Sequence, residues 1–415
     1  MQTAIVESLL NTPEGREAGA ILRTCVHCGM CNATCPTYQL LGDELDGPRG
    51  RIYLIKDMLE GGEISRRTQT HLDRCLTCRN CETTCPSGVQ YGRLLDIGRE
   101  LVEQKVGRRG LDRLMRWALC KIIPYPARFT ALLRFGQLFR PLLPAALKRK
   151  VPTQRKAKAW QVAQHARRML AHQGCVQSAI APNINAATAR VLDKLGISLI
   201  VASGAGCCGA ASHHTSGMKE GLDFARRNID AWWPHVENGC EAIVMTASGC
   251  GVHVKDYGHL LKDDPAYAAK AKRMAGLTRD ISEILVKEDL SKLRLSVKPG
   301  LKVAFQSPCT LQHGQKLNGV TENILRDLGF MLTSVPDAHL CCGSAGTYSI
   351  LQRDLSRQLL KNKVDALQSG QPDVIATANI GCLSHIQTGA DLPVRHWIEI
   401  LDAVSGGGEL HVRVA

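Results

Sequence analysis

Two four-cysteine runs stand fifty positions apart near the start of the chain, and nothing else in the sequence constrains its folding as tightly. The first is Cys25-x2-Cys28-x2-Cys31-x3-Cys35-Pro36, and the second is Cys75-x2-Cys78-x2-Cys81-x3-Cys85-Pro86. Spacings of two, two and three let one turn of backbone wrap three thiolates around a single iron–sulfur cube. The fourth cysteine, just before proline, is sent to the neighbouring cube. The expected ligand sets are therefore Cys25, Cys28, Cys31 and Cys85 for one [4Fe–4S] cluster, and Cys75, Cys78, Cys81 and Cys35 for the other. Structural zinc is the rival reading, but zinc sites usually draw on two separated CxxC pairs rather than a third cysteine on the same turn followed by Cys-Pro. Disulfides are the other rival. The chain has 18 cysteines among 415 residues, yet its first ten residues lack both a basic start and a long apolar core. Clustered cysteines without an export signal predict metal binding in a reducing cytoplasm.

The helix signals between the two runs shape the module that holds them. Leu45-Asp-Gly-Pro-Arg-Gly-Arg-Ile52 leads into Ile55, Met58 and Leu59, a Gly-Pro start followed by an apolar stripe at helical spacing. A second helix leads into Cys75 through His71 and Leu72, and residues 1–24 read as a helical lead-in interrupted at Pro13 and Gly15. This much helix predicts an α-helical ferredoxin module over residues 1–104 rather than the compact β-hairpin kind.

Charge is concentrated in one place. Residues 105–170 carry 17 Lys or Arg against one acid, Asp112, a local balance of +16 in a chain whose total is +14. There, Leu111, Leu114, Met115, Ala118 and Ile122 share one helical face while Arg113, Arg116 and Lys121 lie off it. A basic amphipathic helix of this kind docks on anionic lipid or an acidic partner, or is a solvated linker packed on its own core. Nucleic acid is not expected, because no reading module or aromatic platform accompanies the charge. No apolar stretch of about 18 residues runs uninterrupted by charge, so no transmembrane helix is expected.

The rest of the chain repeats. Cys175 is followed by Cys207-Cys208-Gly209 and Gly249-Cys250; Cys309 is followed at the same interval by Cys341-Cys342-Gly343 and then by Gly381-Cys382. Flanking text repeats as well: Arg279-Asp-Ile-Ser-Glu-Ile-Leu285 parallels Arg395-His-Trp-Ile-Glu-Ile-Leu401. Short apolar runs at 198–202, 242–246, 302–305 and 374–376 read as buried strands alternating with helices. Cysteines fall just after several of them, where α/β sheets build their sites. Two α/β lobes follow, over 171–290 and 291–415, making an α+β multidomain chain with residues 105–170 as a basic linker or docking segment. The eight lobe cysteines, Cys175, Cys207, Cys208, Cys250, Cys309, Cys341, Cys342 and Cys382, are candidates for further iron–sulfur ligation, for a redox dithiol, or for buried structural roles. Gly204-Ala-Gly206-Cys-Cys-Gly209 matches GxGxxG, but the second copy keeps the cysteines and loses the first two glycines, which argues against a dinucleotide site. Cys120 and Cys240 stand outside both patterns and read as structural. His27, His213, His214 and His253 are weak candidates, and no catalytic residue is assigned.

Ferredoxin runs followed by two CCG repeats resemble a family of iron–sulfur subunits that includes heterodisulfide reductase, anaerobic glycerol-3-phosphate dehydrogenase and lactate-utilisation proteins. The stretches Cys25-Val-His-Cys-Gly29, Cys35 to Lys56, His71-Leu-Asp-Arg-Cys-Leu-Thr-Cys78, Cys309-Thr-Leu-Gln-His313, Leu340-Cys-Cys-Gly-Ser-Ala-Gly346 and Thr377-Ala-Asn-Ile-Gly-Cys382 are similar to the iron–sulfur subunits of bacterial glycolate oxidase (glycolate dehydrogenase). That resemblance implies flavin-bearing partner subunits, with FAD on them and not on this chain, that oxidise glycolate to glyoxylate. It implies a relay of electrons through this chain toward a quinone pool at the inner face of the cytoplasmic membrane. A related lactate or glycerol-3-phosphate dehydrogenase is the nearest alternative; CCG lobes acting on a disulfide or quinone, or a docking scaffold with structural clusters, are others. In one respect the chain departs from the broader pattern, which ends in CxxC. Ala247 and Asn379 take the first of those positions, removing one thiol per lobe from the heterodisulfide-type open cluster.

Overall fold

A computed structural model of the chain describes residues 1–144, 148, 151–155, 157, 158, 160 and 163–407. The remaining residues of the basic segment, and 408–415 of the second expected lobe, lie outside the described residues. The chain divides into two compact units: Met1–Arg116 with His339–Lys363, and Trp117–Ala338 with Val364–Ala415.

In the first unit the described residues form helices and no strand, as expected of a helical ferredoxin module. Pro13 marks the break in the lead-in, which falls at residues 11–12 between the helix Glu7–Leu10 and the helix that Pro13 opens. It sits at the start of the helix Pro13–Thr24, where a missing N–H costs nothing, and Thr12 caps that helix by accepting from the Gly15 amide at 3.0 Å. The helix Pro48–Leu59 opens on Gly47-Pro48 and buries Ile52, Ile55, Met58 and Leu59. These residues pack with Leu72 of the helix Arg66–Asp73 and with Leu94, Leu95, Leu101 and Val102 of the helix Tyr91–Val106. Each such fully buried aliphatic side chain stabilises the module by roughly 1.5–3 kcal/mol.

The second unit holds two four-stranded parallel sheets with the same strand order. The first runs β2-β1-β3-β4, with β1 at Arg167–Ala171, β2 at Ile197–Ile200, β3 at Ile243–Met245 and β4 at Thr278–Asp280. The second runs β6-β5-β7-β8, with β5 at Lys302–Gln306, β6 at Met331–Leu332, β7 at Val374–Thr377 and β8 at Val394–His396. Strands covered on both faces read as continuous apolar runs, which is why β2, β3, β5 and β7 were visible in the sequence. β1 begins four residues ahead of position 171, inside the stretch read as linker.

Paired contacts join the two sheets. Ser248 donates its amide to the Ala378 carbonyl at 3.2 Å, the Gly249 amide donates to Asn379 Oδ1 at 3.2 Å, and Arg190 forms a charge-assisted pair with Asp402 at 2.6 Å. His396 Nε2 donates to the Thr246 carbonyl at 2.8 Å while its Nδ1 accepts the Ile398 amide at 3.2 Å. Both contacts need the neutral ring, and burial accordingly holds its pKa down to about 4.

Of the alternatives left open for the basic segment, the helix within it bears against packing of its apolar stripe on the protein's own core. The helix Gly110–Ile122 turns its polar side inward: Arg116 is buried and bonds Asp73 at 3.1 Å, and Arg108 bonds the same carboxylate. Its apolar stripe faces out, with Leu111 79 % and Leu114 58 % exposed. Three strong charge-assisted bonds to one buried carboxylate outweigh the burial of a few methylenes.

Candidate iron–sulfur sites

The two cysteine runs fold alike because the same backbone positions turn left-handed. His27 (φ 58°) and Gly29 (φ 81°) in the first run correspond to Thr77 (φ 55°) and Arg79 (φ 59°) in the second. Each pair curls the chain so that successive cysteines face one point, and short helices, Met30–Ala33 and Asn80–Thr84, follow. Only Gly29 takes this geometry freely, so the three non-glycine residues hold strain that the surrounding contacts must maintain. The two short helices meet through equivalent hydroxyls, Thr34 Oγ1 and Thr84 Oγ1, 3.1 Å apart.

Two cavities open against these runs. The first, with about 440 Å³ of open space, is walled by Cys25, Cys28, Cys31 and Cys85, with Cys81 also on its edge. The second, with about 300 Å³, is walled by Cys35, Cys75, Cys78 and Cys81. Burial pushes the Cys31 thiol up to about 11 and the Cys81 thiol well above the usual thiol range. Such thiols become thiolates only when a metal holds them, so the donor set suits a cluster. His27 lines the first cavity, its ring tilted against Tyr53 with centroids 4.2 Å apart.

A buried charge network beside the second cavity escaped the sequence reading. Arg51, fully buried in the helix Pro48–Leu59, lines that cavity with Tyr91. Its Nε donates to the His71 carbonyl at 2.7 Å, one terminal nitrogen to Thr37 Oγ1 at 3.2 Å and the other to Asp46 Oδ1 at 3.4 Å. Asp46, also fully buried, accepts from Arg74 at 2.7 Å and sits 3.1 Å from His71 Nδ1. Burial opposes the charge on Arg51, but Tyr91, Cys75, Cys35 and Asp46 around it outweigh that cost and hold the guanidinium protonated. A signal was present: Arg51, Ile55 and Met58 are spaced along one helical face, so a charge lay on the apolar stripe. The sulfurs are further supported by Thr37 Oγ1 at 3.3 Å from Cys35, the Thr77 amide at 3.4 Å from Cys75 and Tyr91 Oη at 3.7 Å from Cys75.

In the first lobe the cysteines collect at the carboxyl ends of β1, β2 and β3, around the point where strand order reverses between β1 and β3. Open α/β sheets place ligands at such a point. Cys175, Cys207 and Cys208 are buried, Cys250 is half-buried, and the four form a string in which Cys175 bonds Cys207, Cys207 bonds Cys208 and Cys208 bonds Cys250. The bond from Cys175 is the main reason that Cys207 sits well below the usual thiol range; the Cys208 thiol is the main reason that Cys250 drops to about 6. Hydrogen bonding pushes Cys175 and Cys208 up in turn.

Glycine follows each cysteine pair for a steric reason. Gly209 (φ 95°) donates its amide to Cys207 Sγ at 3.4 Å, and a Cβ there would lie 2.4 Å from the Gly221 carbonyl oxygen. Gly343 (φ 84°) repeats the arrangement with Cys341 at 3.4 Å, and a Cβ would lie 2.7 Å from the Ser356 carbonyl oxygen. The Gly206 amide is taken by Asn228 Oδ1 at 2.8 Å, so the GxGxxG stretch is tied down by a side chain.

The second lobe is divided. Cys309 and Cys382 belong to the second unit, whereas buried Cys341 and Cys342 belong to the first with residues 339–363. There, the Tyr348 hydroxyl donates to the Arg74 carbonyl at 3.1 Å, and Asn80 Nδ2 donates to the His339 carbonyl at 3.3 Å. Asn379, at the position of the absent thiol, donates to Cys382 Sγ at 3.5 Å. Cys120 packs by donating to the Thr215 carbonyl and Cys240 by donating to the Ala242 carbonyl, at 3.3 and 3.4 Å. The rings of His213, His214 and His253 gather with centroids 5.0–5.9 Å apart.

Residues 21–89 match the family described as 4Fe-4S dicluster domain, and residues 169–255 and 303–387 each match the family described as cysteine-rich domain (CCG). Over 403 residues the chain is 57% identical to the glycolate oxidase iron-sulfur subunit of Escherichia coli K12, covering 97% of this chain and 98% of that protein. The chain belongs to the family of glycolate oxidase iron–sulfur subunits. It is 30% identical to the probable glycolate oxidase iron-sulfur subunit of Bacillus subtilis, with 91% of each chain covered. Lactate utilization protein A of Bacillus licheniformis is 28% identical over 55% of this chain and 96% of its own length. These matches agree with the α+β architecture of a cysteine module followed by two CCG repeats. Among the described residues no helix is long and apolar enough to cross a membrane.

Proposed function

We propose that this chain is the electron-transfer subunit of a glycolate dehydrogenase complex, built as a cysteine module, a basic docking segment and two CCG lobes. Cys25, Cys28, Cys31 and Cys85 hold one [4Fe–4S] cluster, and Cys75, Cys78, Cys81 and Cys35 hold the other. The observation that carries this reading is the pair of cavities, one lined by three cysteines of the first run with Cys85 and the shared Cys81, the other by three cysteines of the second run with Cys35. When bound, such clusters take up and release electrons one at a time. The chain's own residues set the conditions. Buried Cys25, Cys35, Cys75 and Cys81 keep most of the donor set away from water, while Arg51 places a fixed positive charge beside the second cavity. Glycolate loses two electrons and two protons in becoming glyoxylate. A flavin on a partner subunit takes the electron pair, and a quinone accepting two electrons and two protons closes the balance.

The relatives' names support glycolate over lactate or glycerol 3-phosphate. The test is anaerobic mixing of the assembled complex with each 2-hydroxy acid while following the visible iron–sulfur absorption. Glycolate is expected to bleach it, and this chain without its partners should stay oxidised. Bleaching by lactate alone would replace the substrate. A reduced flavin beside permanently oxidised clusters would sink the electron-transfer role.

We further propose that the basic segment seats the complex on the anionic inner face of the cytoplasmic membrane. The helix Pro126–Leu138 buries none of its residues, and Leu132, Phe135 and Leu138, followed by Phe139 and Leu142, are exposed with Arg128, Arg134 and Arg140 interspersed. Exposed apolar side chains among cations are the composition of an interfacial helix. Co-sedimentation with vesicles containing anionic phospholipid should capture the full chain. Phe135→Glu with Leu138→Glu should reduce capture at least tenfold, and neutral vesicles should capture little. Equal capture by both vesicle types, or retention of capture in the double variant, would point to a protein partner instead.

A further inference from the structure

The two lobes differ at one matched position, and the difference is chemical. Three residues before the first cysteine of each lobe stand His172 and Gln306, both at the carboxyl end of the central strand of their sheet. Gln306 is satisfied: its Nε2 donates to the Ser307 carbonyl at 2.9 Å and its Oε1 accepts from Thr377 at 2.6 Å. His172 is 3 % exposed, no oxygen or nitrogen of the protein bonds its ring nitrogens, and its polar neighbour is the Cys250 thiol, which it helps hold below the usual thiol range. Its backbone is fixed by donation to the Val244 carbonyl at 3.1 Å, and its ring lies edge-on to the buried Trp232 with centroids 5.8 Å apart. The ring is therefore held in place by packing, with thiols as its polar surroundings.

This buried imidazole is aimed at thiols. One ring nitrogen, Cys208 Sγ and Cys250 Sγ all lie within 4.8 Å of one another. The string of bonded thiols continues from Cys208 through Cys207 to Cys175. The thiol that the CxxC pattern would place at 247 is an alanine here, and Ala247 follows β3, the strand beside β1, which His172 directly follows. In the second lobe the equivalent gap is filled by Asn379, which bonds Cys382 and the Gly249 amide. At the matched position the first lobe sets an imidazole beside its thiols where the second sets a fully bonded amide.

We propose that His172 is a metal ligand, donating a ring nitrogen to a thiolate-bound centre in the first lobe whose nearest other donors are Cys208 and Cys250. Two soft thiolates and an imidazole suit iron of an iron–sulfur centre or a single zinc ion equally, since histidine replaces cysteine in both kinds of site. The ligand assignment stands apart from the identity of the 2-hydroxy acid.

The test uses the full chain purified anaerobically, as wild type, His172→Ala and His172→Gln, with iron, acid-labile sulfide and zinc counted per chain. Wild type is expected to hold metal beyond the about eight irons of two [4Fe–4S] clusters. Extra iron with sulfide would make the centre a cluster, and about one zinc would make it mononuclear. Both variants should lose at least three-quarters of that extra metal and keep the eight irons. Histidine labelled with ¹⁵N in the wild type supplies a second readout that needs no variant to fold. The extra centre should show nitrogen hyperfine coupling in pulsed EPR if it is iron, or a nitrogen scatterer in zinc-edge X-ray absorption. Full extra metal in both variants, a nitrogen-free centre, or a wild type with eight irons and no zinc would each overturn the assignment.

Discussion

Replacing Arg51 by alanine is expected to destabilise the cysteine module by about 3–5 kcal/mol, the range for breaking a buried ion pair from one side. Asp46 is fully buried and would keep only Arg74 and His71, and Thr37 and the His71 carbonyl would each lose a donor. Arg51→Lys should recover little, because one ammonium cannot reach three acceptors set around a planar fork. The double variant Arg51→Met with Asp46→Asn should lose less than the sum of its parts, since it removes both charges together. Anaerobic urea unfolding, followed by far-UV circular dichroism and by visible absorption, measures the wild type, Arg51→Ala, Arg51→Lys, the single variants Arg51→Met and Asp46→Asn, and their double variant. A midpoint for Arg51→Ala within about 1 kcal/mol of wild type would show that the network is not structural. The alanine variant should also lower the reduction potential of the cluster held by Cys35 and leave the other nearly unmoved, because only the second cavity is lined by the guanidinium.

Single serine substitutions should sort the eight module cysteines into two groups that cross the runs. Cys85→Ser is expected to remove the same EPR signal, and about four irons, as Cys28→Ser. Cys35→Ser should match Cys78→Ser. The reason is geometric: Cys85 lines the cavity of the first run and Cys35 the cavity of the second. If Cys85→Ser instead abolished the signal lost in Cys78→Ser, each run would hold its own cluster and the crossed assignment would fall. Cys81 borders both cavities, so Cys81→Ser should remove the second signal and perturb the first. Gly209→Ala and Gly343→Ala would disturb the lobes by a different route, the carbonyl clash, and should leave these signals in place.

Much of this was legible in sequence because the carriers are local. Six of eight module cysteines lie within two short turns, and the spacing itself makes three sulfurs converge. β2, β3, β5 and β7 announced themselves as apolar runs, and the lobes as a repeat, whereas strands such as Arg167–Ala171 and Thr278–Asp280, which carry charged residues, did not. Composition likewise located the basic segment, but periodicity left open which face of its helix meets the protein: Arg116 is buried on Asp73, 43 positions away, while Leu111 is exposed. Periodicity ranks faces by hydrophobicity and cannot see a carboxylate waiting elsewhere in the chain.

The sequence by itself determined the thiol spacing, the duplication of the lobes and the family, all of which depend on residues close together in the chain. Tertiary structure decided which polar residues meet. Arg51, Asp46, His71 and Arg74 form one network across 28 positions, and His172 reaches Cys250 across 78 positions. A lone histidine at a strand end carries no signal until the sheet order sets β3 beside β1. Burial then removes water as a partner, and thiols are what remain within reach of its ring.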